Sequence, residues 1–139
     1  MTRYFAYGSN LSLAQMARRC RSSRAVGPAQ LVGWQFRIMT RGFATVVPAA
    51  GSVVRGLLWN LTPRDETALD EYEGIALGHY EKRMLPIVGA VGVPLAMVYI
   101  STLSEPGRPV GDYMDRVHTA ACDLGFPADY LAELESWKR

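Results

Sequence analysis

This sequence contains few cysteines, carries little net charge and has no long apolar run, and each of these features excludes a class of protein. The two cysteines, Cys20 and Cys122, are far apart and form no Cys-x-x-Cys pair, so neither a disulfide framework nor a zinc site is expected. The formal net charge of +2 is too small to indicate a nucleic-acid partner. No apolar run reaches the roughly 18 residues of a membrane span, and the N-terminus lacks a basic segment followed by an apolar core. The sequence therefore predicts a cytoplasmic protein with reduced thiols and no membrane or nucleic-acid partner.

The length and composition suit one globular domain. A chain of 139 residues can bury roughly two thirds of its unfolded surface without disulfides or metals. Hydrophobic residues make up 49% and charged residues 20%, and no proline-rich or serine-rich linker divides the chain. We therefore expect a single domain over residues 1–139.

The stretch 4–11, Tyr-Phe-Ala-Tyr-Gly-Ser-Asn-Leu, joins a strand pattern to a helix pattern. Its glycine lets the backbone approach a ligand and adopt dihedral angles that other residues resist, and amide groups near a helix start lack partners. Such a junction can bind an anion. An ordinary strand-to-helix turn has the same pattern, so this stretch alone leaves both interpretations open. Ser12 and Gln15 match a capping box at the start of the helix.

Most of the remaining chain alternates between strand patterns and helix patterns. Strands are predicted over residues 3–7, within 25–61, over 80–88 and over 95–100, with turns at Ala49-Ala50-Gly51 and at 89–92. Thr62-Pro63-Arg64-Asp65 starts a helix that ends at Gly74, and two helices close the chain. Several strands are continuous apolar runs, which are typical of a sheet that is buried on both faces or curled on itself.

The segment Leu69-Asp70-Glu71-Tyr72-Glu73-Gly74 carries three carboxylates near the end of one predicted helix. At about 100° per residue, Glu73 lies about 40° around the helix from Leu69, whereas Glu71 lies about 160° away. We therefore expect Glu73 to face the core and Glu71 to face solvent. The helix dipole and partial burial would both raise the pKa of Glu73 toward that of a useful general base. A solvated acidic helix end fits the same pattern equally well.

Other candidate catalytic groups have less support. His79 and His118 stand alone in their segments and no Gly-x-Ser-x-Gly elbow is present, so the histidines are predicted to be structural. No Gly-Lys-Ser/Thr follows Gly8, so the loop is not a phosphate loop. Tyrosines in or at the end of predicted strands are expected to pack in the core: Tyr7, Tyr80 and Tyr99. Several arginines fit a solvated helix end better than a phosphate-binding patch: Arg18, Arg19, Arg21 and Arg24.

Four motifs occur in a particular order along the chain. They are Tyr4-Phe5-Ala6-Tyr7-Gly8-Ser9-Asn10-Leu11, then Gly56-Leu57-Leu58-Trp59 with Leu69-Asp70-Glu71-Tyr72-Glu73-Gly74, and then Gly78-His79-Tyr80. Together they resemble the γ-glutamylcyclotransferase family over essentially the whole chain. Because the conjunction is far more specific than any single motif, it favours a ligand-binding loop at residues 8–10 and a catalytic Glu73.

The resemblance implies an α+β fold, with a small, mixed, partly closed β-barrel flanked by helices in a single domain. It also implies an enzyme that acts on a small-molecule γ-glutamyl substrate and needs no metal or cofactor. The α-amine of the γ-glutamyl group attacks its own γ-carbonyl carbon, which releases an amine or amino acid and leaves 5-oxoproline. The family's catalytic glutamate falls on Glu73, and its substrate-binding residues fall on Tyr7, Gly8, Ser9, Asn10 and Tyr99.

This reaction suits the few chemical groups that the motifs supply. The nucleophile belongs to the substrate, so the enzyme has to fold the γ-glutamyl chain and remove an ammonium proton. An α-ammonium with a pKa of about 8 is mostly protonated at neutral pH, so Glu73 would take that proton and later give it to the leaving nitrogen. The amides of residues 8–10 would hold the substrate's carboxylate or the developing oxyanion, in a cavity sized for a glutamyl group.

The identity of the leaving amine is less constrained by the sequence. Asn10 matches the branch that acts on γ-glutamyl amino acids better than branches with Gly-Thr-Leu or Gly-Ser-Leu after the tyrosine, which resemble γ-glutamylamine and glutathione-specific enzymes. The segment 39–52 is short, and such loops often shape the leaving-group side of a pocket. A member specialised for γ-glutamylamines or another γ-glutamylated metabolite, and a non-catalytic ligand-binding domain, stay open as alternatives. The oligomeric state stays open as well, a homodimer included.

Overall fold

The computed structural model describes residues 1–89, 92 and 94–138. These residues form the following strands and α-helices: β1 (Thr2–Ala6), α1 (Leu13–Arg19), β2 (Arg24–Ile38), β3 (Ala44–Leu61), α2 (Pro63–Glu73), β4 (Tyr80–Pro86), β5 (Val88–Gly89), β6 (Leu95–Ser101), α3 (Tyr113–Asp123) and α4 (Ala128–Glu135). Short 3-10 helices, Ser9–Leu11 and Ile75–Leu77, follow β1 and α2.

The strands form one mixed sheet in the order β4-β6-β1-β3-β2-β5. β1 pairs antiparallel with β3 and parallel with β6, and β2 and β3 form a long antiparallel hairpin. Since β4 and β5 are its two edges, the sheet is not closed within the described residues. The expected α+β fold, with a small, mixed, incompletely closed sheet and flanking helices, is confirmed.

The middle strands are buried on both faces, as their continuous apolar runs predicted. Phe5 in β1 is fully buried, and its neighbours Tyr4 and Ala6 are buried as well. Leu69 of α2 and Met114 of α3 belong to the same core. Each large apolar side chain buried in this way contributes about 1.5–3 kcal/mol to folding. The end of β1 is therefore firmly held, and the loop that leaves it starts from a fixed point.

The turn predicted at Ala49-Ala50-Gly51 is wrong, because these residues lie inside β3. The register between β2 and β3 shifts beside Gly33, and residues 49–52 form an irregularity within the hairpin. Gly33 and Gly51 have positive φ angles of 86° and 82°, which glycine adopts without steric cost. A glycine that permits a bulge gives much the same sequence signal as a glycine that ends a strand.

The strand predicted over residues 80–88 is divided in two. β4 pairs with β6 at one edge of the sheet, whereas β5 pairs with β2 at the other edge. Ile87, between them, is fully buried, so the chain packs into the core where it passes from one edge of the sheet to the other. In the turn predicted at 89–92, Ala90 and Val91 lie outside the described residues.

Helix α2 begins and ends where the sequence predicted. The Thr62 hydroxyl accepts a hydrogen bond from the Asp65 amide, and the Asp65 carboxylate accepts one from the Thr62 amide, which completes a capping box. Gly74 ends the helix in the left-handed conformation, with a φ of 66°. Both ends of α2 are thus fixed, and with them the position of its last residue, Glu73.

Candidate active site

The loop after β1 contains a single turn of 3-10 helix, in which the Leu11 amide donates to the Gly8 carbonyl at 3.0 Å. A β-carbon added at Gly8 would lie 2.7 Å from the Tyr113 hydroxyl oxygen, so a larger residue would collide with α3. The φ of Gly8 is −109°, which is not left-handed. Close approach to Tyr113 therefore gives a direct reason for a glycine at this position.

The backbone amides of residues 8–10 precede the first hydrogen-bonded turn. None of the three donates to a backbone carbonyl elsewhere in the described chain. Burial raises the pKa of Tyr113 to about 12, and hydrogen bonds from the backbone of Ala44 and from the backbone and side chain of Ser9 oppose this rise. The loop thus keeps backbone donors at Gly8 and Asn10 that an anionic group could use, and its Ser9 amide lies beside the Tyr113 hydroxyl.

A polar network holds the loop from inside the protein. Asn10 is only 3% exposed, and its Nδ2 donates to the Tyr4 hydroxyl at 2.9 Å. Its Oδ1 accepts from Gln15 at 2.9 Å and from Arg19 at 3.2 Å. The same Gln15 nitrogen donates to the Ser9 hydroxyl at 2.8 Å. The Asn10 side chain is therefore engaged in positioning the loop.

The capping box predicted at the start of α1 is only half formed. Ser12 accepts a hydrogen bond from the Gln15 backbone amide at 3.1 Å, as expected. The Gln15 side chain is directed to the loop at Ser9 and Asn10 instead of returning to Ser12. The first turn of α1 thus supports the loop as well as the helix.

Glu73 is the last residue of α2, and its side chain faces the loop. Glu73 is part-buried whereas Glu71 is exposed, as the helical phase predicted. Burial raises the pKa of Glu73 to about 7, and the guanidinium groups of Arg19 and Arg41 oppose this rise. No hydrogen bond from a described residue contributes to that pKa. The carboxyl group can therefore gain or lose a proton near neutral pH, as a general acid or base must.

Glu73 and the loop border a small polar space, which we call the inner cavity. Its wall is formed by Tyr4, Tyr7, Gly8, Ser9, Asn10, Ala44, Glu73, Tyr80, Tyr99 and Tyr113. This wall brings together all six residues that the resemblance assigned to the site. The cavity volume is about 30 Å³, which is room for about one water molecule and less than the glutamyl-sized cavity that was expected.

Tyrosine hydroxyl groups make up much of this wall. The Tyr7 hydroxyl donates to the Tyr99 carbonyl, the Tyr99 hydroxyl to the Asp70 carboxylate at 2.7 Å, and the Tyr80 hydroxyl to the Ala44 carbonyl at 2.7 Å. Burial raises the pKa of all three tyrosines, so they stay neutral in the physiological range. They were expected to be packing residues, and they both pack and line the cavity.

Four wall residues were not assigned to the site from the sequence: Tyr4, Ala44, Tyr80 and Tyr113. Tyr113 lies on the buried face of α3, and the one available sequence signal is that a tyrosine on a buried face needs a partner for its hydroxyl. That partner is the backbone amide of Ala44 at 3.3 Å, far away along the chain. Local patterns do not report such a contact.

A larger space, which we call the outer cavity, adjoins the inner cavity. Its volume is about 210 Å³, and it shares Ser9, Glu73, Tyr80 and Tyr113 with the inner cavity. Its remaining lining residues are Arg19, Arg41, Phe43, Tyr72, His79 and Arg116. The inner cavity alone is too small for a ligand of glutamyl size, whereas the two adjoining cavities together have room for one.

Two groups in the outer cavity differ from their expected roles. Arg19 is not simply solvated, because it bonds to Asn10 and its guanidinium carbon lies 4.3 Å from the centre of the Tyr72 ring. His79 packs against Gly74, where an added β-carbon would lie 2.6 Å from the ring, and also lines the cavity. His118 lines neither cavity. Among the described residues, no group of three or more histidine, cysteine, aspartate or glutamate side chains could hold a metal ion.

Known proteins resemble this chain both in sequence and in fold. A family model described as gamma-glutamyl cyclotransferase, AIG2-like, matches residues 4–115, from β1 into α3. The chain belongs to this family.

Gamma-glutamylcyclotransferase from Homo sapiens is 26% identical over 144 aligned positions, covering 96% of this chain and 77% of the human protein. The Mus musculus protein of the same name is 27% identical with the same coverage. Because these relatives are named as enzymes, the prediction of an enzyme is confirmed.

Solved structures extend the likeness to the whole fold. A structure named gamma-glutamyl cyclotransferase superposes with a TM-score of 0.89 at 24% identity, covering 99% of this chain and 88% of that protein. A gamma-glutamyl cyclotransferase specific to glutathione, from yeast, superposes with a TM-score of 0.61 at 13% identity, covering 99% and 97%. At such identities the likeness establishes the fold, which therefore includes α4, beyond the segment that the family model matches. None of the described helices has both the length and the apolar character needed to cross a membrane.

Proposed function

We propose that this protein is a γ-glutamylcyclotransferase that converts a γ-glutamyl amino acid or amine into 5-oxoproline and a free amine. The observation that carries the proposal is the environment of Glu73. Its carboxyl group, with a pKa of about 7, borders the same cavity as the amide groups of residues 8–10. One proton-transfer group and one set of backbone donors are the parts that this cyclisation requires.

In the proposed mechanism, the carboxylate of Glu73 takes a proton from the substrate's α-ammonium group. The freed amine nitrogen attacks the γ-carbonyl carbon and closes a five-membered ring. As the bond between that carbon and the leaving nitrogen breaks, Glu73 returns the proton to the leaving nitrogen. The ring nitrogen still carries two protons after the attack, and it loses one of them through the regenerated Glu73 carboxylate to the released amine. The products are 5-oxoproline and an amine that leaves in its ammonium form, and Glu73 ends as the carboxylate with which the cycle began. Holding amine and carbonyl within one small cavity supplies the proximity that speeds the ring closure.

The other predicted site residues act by binding and by excluding water. The backbone amides of Gly8, Ser9 and Asn10 would hold either the substrate's α-carboxylate or the oxyanion that forms at the γ-carbonyl. Tyr7 and Tyr99 form a neutral wall whose hydroxyl groups are already bonded to protein acceptors. Such a wall adds no competing charge beside Glu73, so the carboxylate acts on the substrate's ammonium group.

We also propose that the protein works in the cytoplasm. Its two cysteines are free thiols, Cys20 buried and Cys122 exposed, which suits a reducing compartment. Cell fractionation would test this location. A homodimer stays a prediction, to be tested by sedimentation of the purified protein.

The proposed function is tested by assaying 5-oxoproline release from a panel of γ-glutamyl compounds: γ-glutamyl-alanine, γ-glutamyl-ethylamine and glutathione. Wild type, Glu73→Gln and Glu71→Gln are compared. Glu71 is the matched control because it is an exposed glutamate two residues away on the same helix. We expect Glu73→Gln to lower kcat by about a hundredfold or more, and Glu71→Gln to leave it near the wild-type value.

Two results would contradict the proposal. If wild type releases no 5-oxoproline from any compound of the panel, the protein is better described as a ligand-binding domain with this fold. If Glu73→Gln retains wild-type activity while its fold is intact by circular dichroism, the assignment of the general base is wrong.

A further inference from the structure

The outer cavity is the space into which a leaving group must extend. The inner cavity holds about 30 Å³, which is less than a glutamyl chain needs, so the substrate must continue past Glu73 into the adjoining 210 Å³. The scissile amide lies beyond the α-amine and γ-carbonyl. Whatever is attached to that amide therefore reaches the outer cavity, whose wall carries three arginines: Arg19, Arg41 and Arg116.

The three arginines differ in the partners that their guanidinium groups already have within the protein. Arg116 is ion-paired with Asp112 at 3.2 Å, and Arg19 donates to Asn10. The guanidinium carbon of Arg41 lies 5.7 Å from the centre of the Phe43 ring. Within the described part of the chain, the Arg41 side chain forms no ion pair and no hydrogen bond. Arg41 is thus the arginine of this wall whose planar set of donors is available to a ligand.

The backbone around Arg41 is held in place by the loop before α3. The Gly42 amide donates to the Met39 carbonyl at 2.8 Å, and the Val110 amide donates to the Gly42 carbonyl at 3.1 Å. Gly42 has a φ of +91°, and an added β-carbon would lie 2.3 Å from a Val110 methyl carbon. The turn between β2 and β3 therefore has one tightly determined shape, and it presents Arg41 to the outer cavity.

We propose that Arg41 determines leaving-group specificity, binding the carboxylate of a leaving amino acid through its guanidinium group. The inference rests on the proposed function. A guanidinium and a carboxylate can form two parallel hydrogen bonds, and such charge-assisted pairs are stronger than neutral ones. An amine that lacks the carboxylate leaves these donors without a partner. The enzyme therefore discriminates in favour of γ-glutamyl amino acids over γ-glutamylamines.

The electrostatics of Glu73 support the position of Arg41. Arg41 is one of the two cations that lower the pKa of Glu73 against the effect of burial, so its charge lies within reach of the reacting groups. A carboxylate bound to Arg41 would neutralise part of that charge next to Glu73. Binding of the correct leaving group and proton transfer thus take place in one shared electrostatic environment.

The test compares two substrates that differ only in the carboxylate, γ-glutamyl-alanine and γ-glutamyl-ethylamine. For wild type we expect kcat/KM for 5-oxoproline release to be about tenfold to a hundredfold higher with the alanine compound. Arg41→Gln should remove most of this preference, because kcat/KM for the alanine compound should fall about tenfold or more further than kcat/KM for the ethylamine compound. Arg64→Gln, at an exposed position on α2, is the control and should keep the wild-type preference.

A wild-type enzyme without the preference, or an Arg41→Gln variant that loses equal activity on both substrates, would overturn the proposal. Equal loss would assign Arg41 to the γ-glutamyl group or to the fold. If neither these two substrates nor glutathione yields 5-oxoproline, the proposed function fails, and the role of Arg41 is decided by binding. Calorimetry with Glu73→Gln should then show tighter binding of the alanine compound, and the additional Arg41→Gln change should abolish that difference. Equal binding before the Arg41 change would overturn the proposal.

Discussion

Replacing Glu73 by glutamine should stabilise the folded protein at neutral and alkaline pH. Burial raises the pKa of this carboxyl group from 4.5 to about 7. Between these values the folded state binds more protons than the unfolded state, so stability falls as the pH rises through that window. Above pH 7 the folded protein carries the full penalty of a part-buried carboxylate. A neutral glutamine of similar shape carries no such penalty.

The size of the effect follows from the pKa difference. A rise from 4.5 to about 7 corresponds to at most about 3 kcal/mol, and partial exposure of Glu73 brings the expected value nearer to about 2 kcal/mol. The free energy of unfolding of Glu73→Gln minus that of wild type should therefore increase by about 2 kcal/mol between pH 4.5 and pH 8. Other ionisable groups titrate in both proteins, so their contributions largely cancel in this difference.

Urea unfolding followed by tryptophan fluorescence measures this difference, since the chain contains three tryptophans. The same series on Glu71→Gln is the control, and its difference from wild type should stay nearly constant with pH because Glu71 is exposed. A flat difference for Glu73→Gln would refute the reasoning, since it would mean that Glu73 has an ordinary pKa in the folded protein.

Three further changes test the parts that hold the loop and the cavity wall. Gly8→Ala places a β-carbon 2.7 Å from the Tyr113 hydroxyl oxygen, so we expect kcat/KM for 5-oxoproline release to fall tenfold or more and stability to fall by about 1–3 kcal/mol. Gln15→Ala removes the hydrogen bonds to Ser9 and Asn10, and urea unfolding should show a loss of about 1–3 kcal/mol, with KM rising more than kcat falls. Tyr99→Phe removes a hydrogen bond to a carboxylate of α2, so we expect a loss of about 1.5–3 kcal/mol in urea unfolding. Unchanged stability in either of the last two variants would show that the hydrogen bond concerned contributes little.

The part of the site that could be predicted is the part built from regular local structure. Glu73 lies at the end of a helix with a complete capping box and a glycine stop, so its direction follows from helical phase relative to Leu69. Residues 7–10 follow a strand directly, and their motif carries the family resemblance. Such features depend on neighbours within a few residues, which a sequence displays.

The parts that could not be predicted depend on contacts between distant segments. Tyr113 reaches the loop because α3 packs against Gly8, and Arg41 reaches the outer cavity because the segment around Val110 fixes the turn before it. The cavity volume also depends on how five tyrosines from separate elements meet. The bulge at residues 49–52 has a related cause, since the register of a hairpin is set by both strands together.

The pH dependence of kcat/KM for 5-oxoproline release from γ-glutamyl-alanine tests the central claim most directly. If Glu73 is the base, the rate of wild type should rise with pH along a limb centred near 7, where its carboxyl group loses its proton. In Glu73→Gln any residual activity should lack that limb. A wild-type limb centred near 4.5, or the same limb near 7 in the glutamine variant, would contradict the assignment of Glu73 as the group that takes the substrate's proton.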